Sequence, residues 1–552
     1  MRFHLRPALT LAAVVALNLA VRPTWGVWYS HAAFALTMLA LVLGLAAALI
    51  ADRPLLWPAG WAGDTETDGD TFLLAAAAVA LAALNVNSTE VSYAEVDWAR
   101  RGLVYLALAG FAATLTGLFS RSPETLISPV DEADWRRHRP LFFAVALVFA
   151  AVVVAPAVIN LQAGWALSDR FRQGPFQFRW TLIDTIGLVG CLFVVTVVCL
   201  LFLRRRTFFP PPDSGRDTHS YIRPLALVLA LGLALRGGVL IASPDPVIDV
   251  YSLLTQFTDH MLAGRNPYAT DIESPYETPR ARKYEITDPK DPRPAGYPPH
   301  PYLLAAPFRA VGADPRRANV VCDVIAAAAL YLVARSRGRL YVGFAAAALW
   351  LFIPRTTFMM EQAWYEPMIG CLLGVGLWLA EGAGWRKWLG YTLVGLGLTA
   401  KQYGLPILPA LTWPHRRNWK QILVGLLAGG LVMLPWFLWS PPDFLKTVLS
   451  DHLNRPSQYH RALTIGGGIY QLFGMPPDAS MQYVMWAAAI GLIALVSWRG
   501  PRQGAAVAVG LGTALLVFCV FHTQGFFNYF YLCQYLWLLG FVGLLAPAAV
   551  RE

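Results

Sequence analysis

Charged residues are scarce in this chain. They make up 14% of its 552 residues, against 56% hydrophobic. A soluble domain carries about 25% charged residues, so there is too little charge to coat a water-facing surface. Cysteine is scarce too. Cys191, Cys199, Cys322, Cys371, Cys519 and Cys533 lie in or at the edge of apolar runs, with no C-x-x-C and no metal-type Cys/His spacing. They read as packing residues, and no disulfide framework is expected. No metal site is expected either. Asp245 and Asp249 stand four apart across a proline, with no His or third acid to complete a cluster. The P-loop pattern G-x-x-x-x-G-K-[ST] and the dinucleotide-binding glycine pattern are both missing, and no cofactor is expected. A net charge of +10 does not point to nucleic acid, because Lys and Arg sit in short loops between apolar runs.

What the sequence does have is long apolar blocks. A span needs roughly 20 apolar residues, fewer in a bundled short helix. Candidate spans are 7–21, 31–51, 72–86, 102–119, 141–160, 183–203, 225–242, 319–335, 340–354, 367–381, 387–400, 403–414, 421–439, 482–497, 504–521 and 529–548. Unpaired amides are too costly in hydrocarbon, so each span must be helical. The expected fold is an all-α polytopic membrane protein of about sixteen transmembrane helices. The N-terminal MRFHLRPALTLAAVVALNLAV has the outline of a signal peptide. It lacks a clear small-residue cleavage site, and more spans follow, so it reads as an uncleaved first helix.

Charge sets the sides. Arg136, Arg137 and Arg139 form one cluster, and Arg204, Arg205 and Arg206 another. Arg335, Arg337 and Arg339 follow, then Arg386 and Lys387, then Arg416, Arg417 and Lys420, then Arg499 and Arg502. With this span count all of them fall on one face, with both termini, and that face is cytoplasmic. The long polar segments, 243–318 first and 443–481 second, then lie outside. The expected location is the cytoplasmic (inner) membrane, with the chemistry on the extracytoplasmic side. Residues 1–203 form an N-terminal region of about six helices with no assigned role. The Pro-rich, charged stretch 204–223 reads as a cytoplasmic linker, and 224–552 holds the external loops.

The segment after the seventh span, PVIDVYSLLTQFTDHMLAGRNPYA, places Leu253, Leu254, Phe257, Met261 and Leu262 near one helical face. That predicts an amphipathic helix over 250–263 lying along the membrane surface. Gly264 ends it, and Asn266-Pro267 begins a turn. Tyr297-Pro298-Pro299-His300-Pro301-Tyr302 opens a second juxtamembrane helix at about 300–311. An apolar helix, then Asp249, then Gly-Arg-Asn-Pro-Tyr268, then Tyr297-Pro-Pro, then a pair of spans, resembles the GT-C class of integral-membrane glycosyltransferases. It is most similar to the branch that includes polyprenol-phosphate-mannose-dependent mannosyltransferases. Pro354 with a short loop ending at Glu366, and Thr-Ala-Lys401-Gln-Tyr-Gly-Leu-Pro-Ile-Leu-Pro, extend the resemblance over about 224–552.

The resemblance implies transfer of a sugar, mannose or a similar hexose or pentose, from a polyprenyl-phosphate carrier. The acceptor is a hydroxyl on a glycan, lipid or protein outside the cytoplasm, and the anomeric centre is inverted. It also implies an acidic base in the first external loop, at the position of Asp249. Chemistry supports this independently, since a sugar hydroxyl is a poor nucleophile and needs a carboxylate within reach. Asp245, before Pro246, is a turn former and the runner-up as base. A departing lipid phosphate calls for cations near the membrane surface, and Lys401, Arg236 and Arg355 are the candidates. Glu366, Tyr365, Tyr268, Tyr297 and His522 are candidate substrate contacts, and Gln524, Asn528 and Tyr529 share the last outer turn with His522. The alternative is a transporter or lipid-linked-sugar flippase. That would show sequence repeats and broken helices with mid-membrane polar groups, whereas the polar residues here gather in outer loops.

Overall fold

Apolar runs with no water to bond become helices, and that is what the computed structural model shows. It describes residues 2–20, 31–51, 54–56, 74, 77, 222–277, 296–353, 355–451, 462–522 and 525–545. The first helices are α1 (Leu5–Ala20), α2 (His31–Leu49), α3 (Ile222–Ala242), α4 (Asp249–Leu262), α5 (His300–Ala310) and α6 (Arg317–Arg335). Then come α7 (Leu340–Phe352), α8 (Arg355–Glu361), α9 (Glu366–Ala380), α10 (Trp385–Thr399), and the one-turn helices α11 (Gly404–Ile407) and α12 (Pro409–Thr412). The last are α13 (Trp419–Trp439), α14 (Pro441–Leu445), α15 (Ile465–Phe473), α16 (Ala479–Arg499), α17 (Val507–Phe521) and α18 (Phe527–Leu544). The described residues are otherwise strand-free, apart from a short antiparallel pairing of Arg2–His4 with Pro54–Leu56.

Five described helices are long and apolar enough to cross a membrane: Leu225–Ala242, Arg317–Arg335, Arg416–Trp439, Ala479–Arg499 and Gly504–Phe521. Shorter apolar helices run over Leu5–Asn18, Ala33–Leu49, Val342–Phe352 and Glu366–Ala380. This is a membrane protein, though the described helices do not establish the expected count. The expected spans 102–119, 141–160 and 183–203, nearly all of 72–86, and the linker up to residue 221 lie outside the described residues, while residues 222 and 223 of the expected linker belong to α3. The expected span 403–414 is not one continuous helix. Pro406 and Pro409 break it into α11 and α12, because proline lacks the amide that a helix interior needs. The chain nevertheless returns along α10, since His415 Nδ1 and Asn418 Nδ2 both reach Tyr391 Oη, at 2.9 and 2.8 Å.

α13 then packs along α10. Gly395 lies against Gly425, and Gly429 lies against Thr399, so closely that a Cβ on Gly395 would collide with the Gly425 backbone. Small residues let membrane helices approach this way. α1 and α2 pack on the C-terminal helices. Asn18 Nδ2 donates to Gln534 Oε1 of α18 at 2.9 Å, and Thr513 Oγ1 of α17 donates to the Gly44 carbonyl at 3.2 Å. The C-terminal bundle therefore takes in the first two helices of the chain.

The helices define two ends. At one end lie the α3 C-terminus, α4, α5 and the starts of α6 and α9. At the other lie Arg335, Arg337, Glu381, Arg386, His415 and Arg416. The amphipathic helix expected over 250–263 and the second helix expected at about 300–311 are present as α4 and α5. They pack face to face. Phe257 stacks on Tyr302 with ring centroids 3.7 Å apart, and Asp259 receives both Arg309 Nε and Nη2, at 2.6 and 2.7 Å.

Candidate active site

Asp249 is the first residue of α4 and is half-buried. Its Oδ1 accepts from the Val250 amide at 2.9 Å, and its own amide donates to Tyr276 Oη at 3.3 Å. Burial pushes the Tyr302 and Tyr365 phenols above their ordinary range, and the Asp249 carboxylate adds to that push on both. Asp249 therefore sits within electrostatic reach of these rings. Asp245 lies four residues earlier in the turn between α3 and α4, and it is exposed.

That turn is clamped by Arg316, a residue with no distinctive mark in the sequence. Arg316 is fully buried. It donates to Asp314 Oδ2 at 2.5 Å, to the carbonyls of Ser243 and Pro244 at 2.9 and 3.2 Å, and to the Glu361 carbonyl at 3.3 Å. Its guanidinium also stacks 4.7 Å from the Tyr251 ring centroid. One side chain thus ties the entry to α4 to the start of α6 and the end of α8. Its sequence signal, Asp-Pro-Arg-Arg before an apolar run, is the same as that of many ordinary helix starts.

Beside Tyr365, α9 begins with Glu366. The turn before it passes through Ala363 at φ 56°, a left-handed conformation that costs a non-glycine residue about 1–2 kcal/mol. Glu366 is fully buried, and its Oε1 receives Lys401 Nζ at 2.6 Å and Asn528 Nδ2 at 2.8 Å. The Lys401 ammonium lies 5.1 Å from the Tyr297 ring centroid, 5.6 Å from that of Tyr403 and 5.0 Å from that of Tyr529. Burial alone would lower its pKa, but the Glu366 carboxylate, the Tyr529 and Tyr297 phenols and the hydrogen bond to Glu366 together more than offset this, and the pKa stands above its ordinary value. Tyr297 joins this group to the first loop, with its ring edge-on to Tyr365 at 5.2 Å. Gln402 Nε2 holds the same loop by donating to the carbonyls of Gly296 and Val448 at 2.8 and 2.9 Å.

The remaining nominated residues go elsewhere. Arg236 is fully buried and pairs with Asp323 at 2.5 Å, and it also donates to the Leu351 carbonyl at 2.9 Å and to Thr356 Oγ1 at 3.2 Å. Asp323 takes Trp350 Nε1 at 2.8 Å and Tyr531 Oη at 2.5 Å as well. This network binds α3, α6, α7, α8 and α18 together within the bundle. Tyr268 is buried against Phe257, Trp436 and Phe444, and its hydroxyl donates to the Tyr297 carbonyl at 2.9 Å. It supports the site's wall. His522 packs with Phe518 and Trp486. Arg355 opens α8, and its side chain lies outside the described residues. No group of three or more metal-ligating side chains occurs among the described residues.

Residues 296–550 match the family model described as Glycosyltransferase family 87. An alpha-(1->3)-arabinofuranosyltransferase of Mycobacterium tuberculosis, curated for strains CDC 1551 / Oshkosh and ATCC 25618 / H37Rv, is 29% identical over 191 residues. That stretch is 33% of this chain and 42% of the relative, so the chain spans less than half the length of the curated relatives it matches. No solved structure matches the chain. The resemblance to the GT-C integral-membrane glycosyltransferases holds on these matches, while the mannosyltransferase branch in particular finds no support in them. Glu366, Lys401 and Asn528 lie inside the family match, and Asp249 lies before it.

Proposed function

We propose that this protein transfers a sugar from a polyprenyl-phosphate carrier to an acceptor hydroxyl, at the bundle end that holds Asp249 and Glu366. The observation that carries this reading is a half-buried carboxylate at the start of α4, beside a buried charge cluster walled by tyrosines, in a chain matched over residues 296–550 to a glycosyltransferase family. The acceptor oxygen attacks the anomeric carbon from the face opposite the phosphate. Its proton passes to Asp249, the bond from carbon to phosphate oxygen breaks, and polyprenyl phosphate leaves as a monoester. In-line displacement of this kind inverts the anomeric centre. The prenyl chain stays in lipid, so a base fixed to the end of a membrane helix is held at the depth of the scissile bond.

The sugar and the cation follow from the same frame. The relative's name specifies arabinofuranose, which favours a pentofuranose over mannose as the donor sugar. Arg236 directs its donors to partners within the bundle, and Lys401 is paired with Glu366. Arg355, at the first position of α8, is retained for the departing phosphate. The site faces the extracytoplasmic side of the inner membrane, because the basic loops gather at the opposite end.

The test is transfer by membranes carrying the wild type, Asp249→Asn or Asp245→Asn. The donors are polyprenyl-phosphate arabinofuranose and polyprenyl-phosphate mannose, with envelope glycan as acceptor. Asp249→Asn is expected to lose at least ~10²-fold while still binding donor, and Asp245→Asn to stay within a few-fold of wild type. Full activity in Asp249→Asn, or a larger defect in Asp245→Asn, moves the base. Wild-type transfer from neither donor ends the reading.

A further inference from the structure

Two buried polar atoms around Lys401 have no hydrogen-bond partner among the described residues: Glu366 Oε2 and Tyr403 Oη. Glu366 is fully buried and Tyr403 nearly so, with exposures of 0% and 4%. Buried polar atoms are seldom left unpaired, because the desolvation cost is then uncompensated. Both belong to one cluster. Tyr403 and Tyr529 flank the Lys401 ammonium, their rings edge-on at 5.5 Å, and Glu366 Oε1 anchors that same ammonium. Tyr297 and Tyr529 are half-buried and form the more open side.

We infer that Glu366, Lys401 and Tyr403 form a subsite for sugar hydroxyls, in which Glu366 Oε2 accepts from one hydroxyl and Tyr403 Oη bonds its neighbour. This rests on the glycosyl-transfer reading and deepens it. A phosphate suits the corner poorly. It offers acceptors only, so it leaves the free carboxylate oxygen unsatisfied and is repelled by it, and the Lys401 charge is already offset. A polyol offers donors and acceptors together, and the three tyrosine faces suit the C–H face of a sugar ring. Asn528, which donates to the other carboxylate oxygen, fixes the orientation of Glu366 and so the direction in which Oε2 points.

The experiment uses the full chain in nanodiscs, with methyl α-D-arabinofuranoside, methyl α-D-mannopyranoside and methyl phosphate as probes. Melting temperature reads binding, and transfer kinetics with both substrates varied reads function. A glycoside is expected to raise the wild-type melting temperature while methyl phosphate does not. Tyr403→Phe should melt, without ligand, at or above the wild-type temperature, because it deletes only a hydroxyl with no partner among the described residues. Its glycoside affinity should fall about threefold to tenfold, and one KM should rise by a similar factor with kcat little changed. A rise in the donor KM assigns the subsite to the donor sugar, and a rise in the acceptor KM assigns it to the acceptor sugar. Glu366→Gln should weaken the same probe. Two results overturn the inference. One is protection by methyl phosphate that Tyr403→Phe abolishes, which makes this an anion site. The other is a lower ligand-free melting temperature in Tyr403→Phe with its glycoside response unchanged, which leaves the hydroxyl a structural or water-bound role. Glycoside binding that depends on Tyr403 in a protein that transfers no sugar keeps the subsite and removes the transferase reading.

Discussion

One helix carries a carboxylate at each end, and the two are treated differently. Glu381, the residue after α9, has both oxygens engaged. Oε1 takes Arg337 Nη2 at 2.6 Å and the Ala505 amide at 2.7 Å, and Oε2 takes Arg337 Nη1 and Ser336 Oγ, each at 3.1 Å. Glu366, the first residue of α9, is more deeply buried, yet only one of its oxygens is bonded among the described residues. A group whose work is to hold helices together is saturated, as Glu381 and Asp323 are. A group left half-satisfied in a more costly environment has capacity kept for something that arrives. At the basic end Tyr391, His415 and Asn418 are bonded to one another as well, although the Tyr331 hydroxyl, within reach of Arg335, has no hydrogen-bond partner among the described residues. At the opposite end the unpartnered Tyr403 hydroxyl lies in the same cluster as the half-satisfied Glu366.

The sharpest way to break this comparison is to remove one cation at each end. Lys401→Met strips the buried Glu366 of its counter-charge, and breaking such a pair costs about 3–5 kcal/mol. Arg337→Met removes a partner from a carboxylate that keeps two other donors and some water, and about 1–2 kcal/mol is expected. Thermal unfolding in nanodiscs measures both. The double variant Glu366→Gln/Lys401→Met should regain most of the lost stability but not transfer activity. If activity returns with stability, the polar end is as purely structural as the basic one.

A smaller effect should come from the clamp. Arg316→Lys keeps a positive charge but loses the planar fork that reaches three carbonyls and Asp314 at once. The Ser243–Ile248 turn is then held less firmly, and Asp249 with it. Transfer is expected to fall about tenfold in kcat, with the KM of the donor nearly unchanged. The control is Arg309→Lys, which loosens the pairing of α4 with α5 but not the entry to α4, and a much smaller fall in kcat is expected. Equal effects in the two variants would show that α4 as a whole, rather than its first residue, is what needs holding.

Much of this is legible in the sequence because it depends on local pattern. The amphipathic stripe of Leu253, Leu254 and Phe257 marks α4, and the Pro-Pro-His-Pro start marks α5. The apolar blocks mark α3, α6, α13, α16 and α17. Pairing is not legible. Arg236 reads as a cation for the lipid phosphate because a lone Arg in a span is costly. Its partner Asp323 lies 87 positions away, and no local pattern joins the two. Lys401 and Glu366 each stand out alone, but nothing in the sequence says that they neutralise one another across 35 positions. The broken return at α11 and α12 is hidden by composition, since Leu-Pro-Ile-Leu-Pro scores as apolar whatever its prolines do to the helix.

The last comparison sets two buried histidines at opposite ends side by side. His300, the first residue of α5, and His415, before α13, are each held down to about 4, in both cases chiefly by burial. The local reasons differ. Thr399 Oγ1 donates to the Gly395 carbonyl at 2.8 Å, so His300 Nε2 must donate to it, at 3.2 Å. A second proton would then sit on Nδ1, buried and without a partner among the described residues, at a helix start that disfavours positive charge. Asn418 Nδ2 donates to Tyr391 Oη, so that hydroxyl donates to His415 Nδ1 at 2.9 Å, and protonation breaks the bond. Lys387 adds repulsion there and Glu381 partly offsets it. The unfolded chain binds these protons near pH 6.5, and the folded chain only near 4. The stabilising contribution is therefore complete above about pH 6.5 and is lost as pH falls towards 4, with a slope of up to about 1.4 kcal/mol per pH unit for each histidine. His300→Gln and His415→Gln should each flatten the fall in melting temperature between pH 7 and pH 4.5, and the double variant should flatten it most. Since other carboxylates titrate in all four proteins, only the difference from wild type counts. A fall as steep in the double variant as in the wild type would mean that both rings already carry a proton in the folded protein, and the assignment of donors around Thr399 and Tyr391 would have to be reversed.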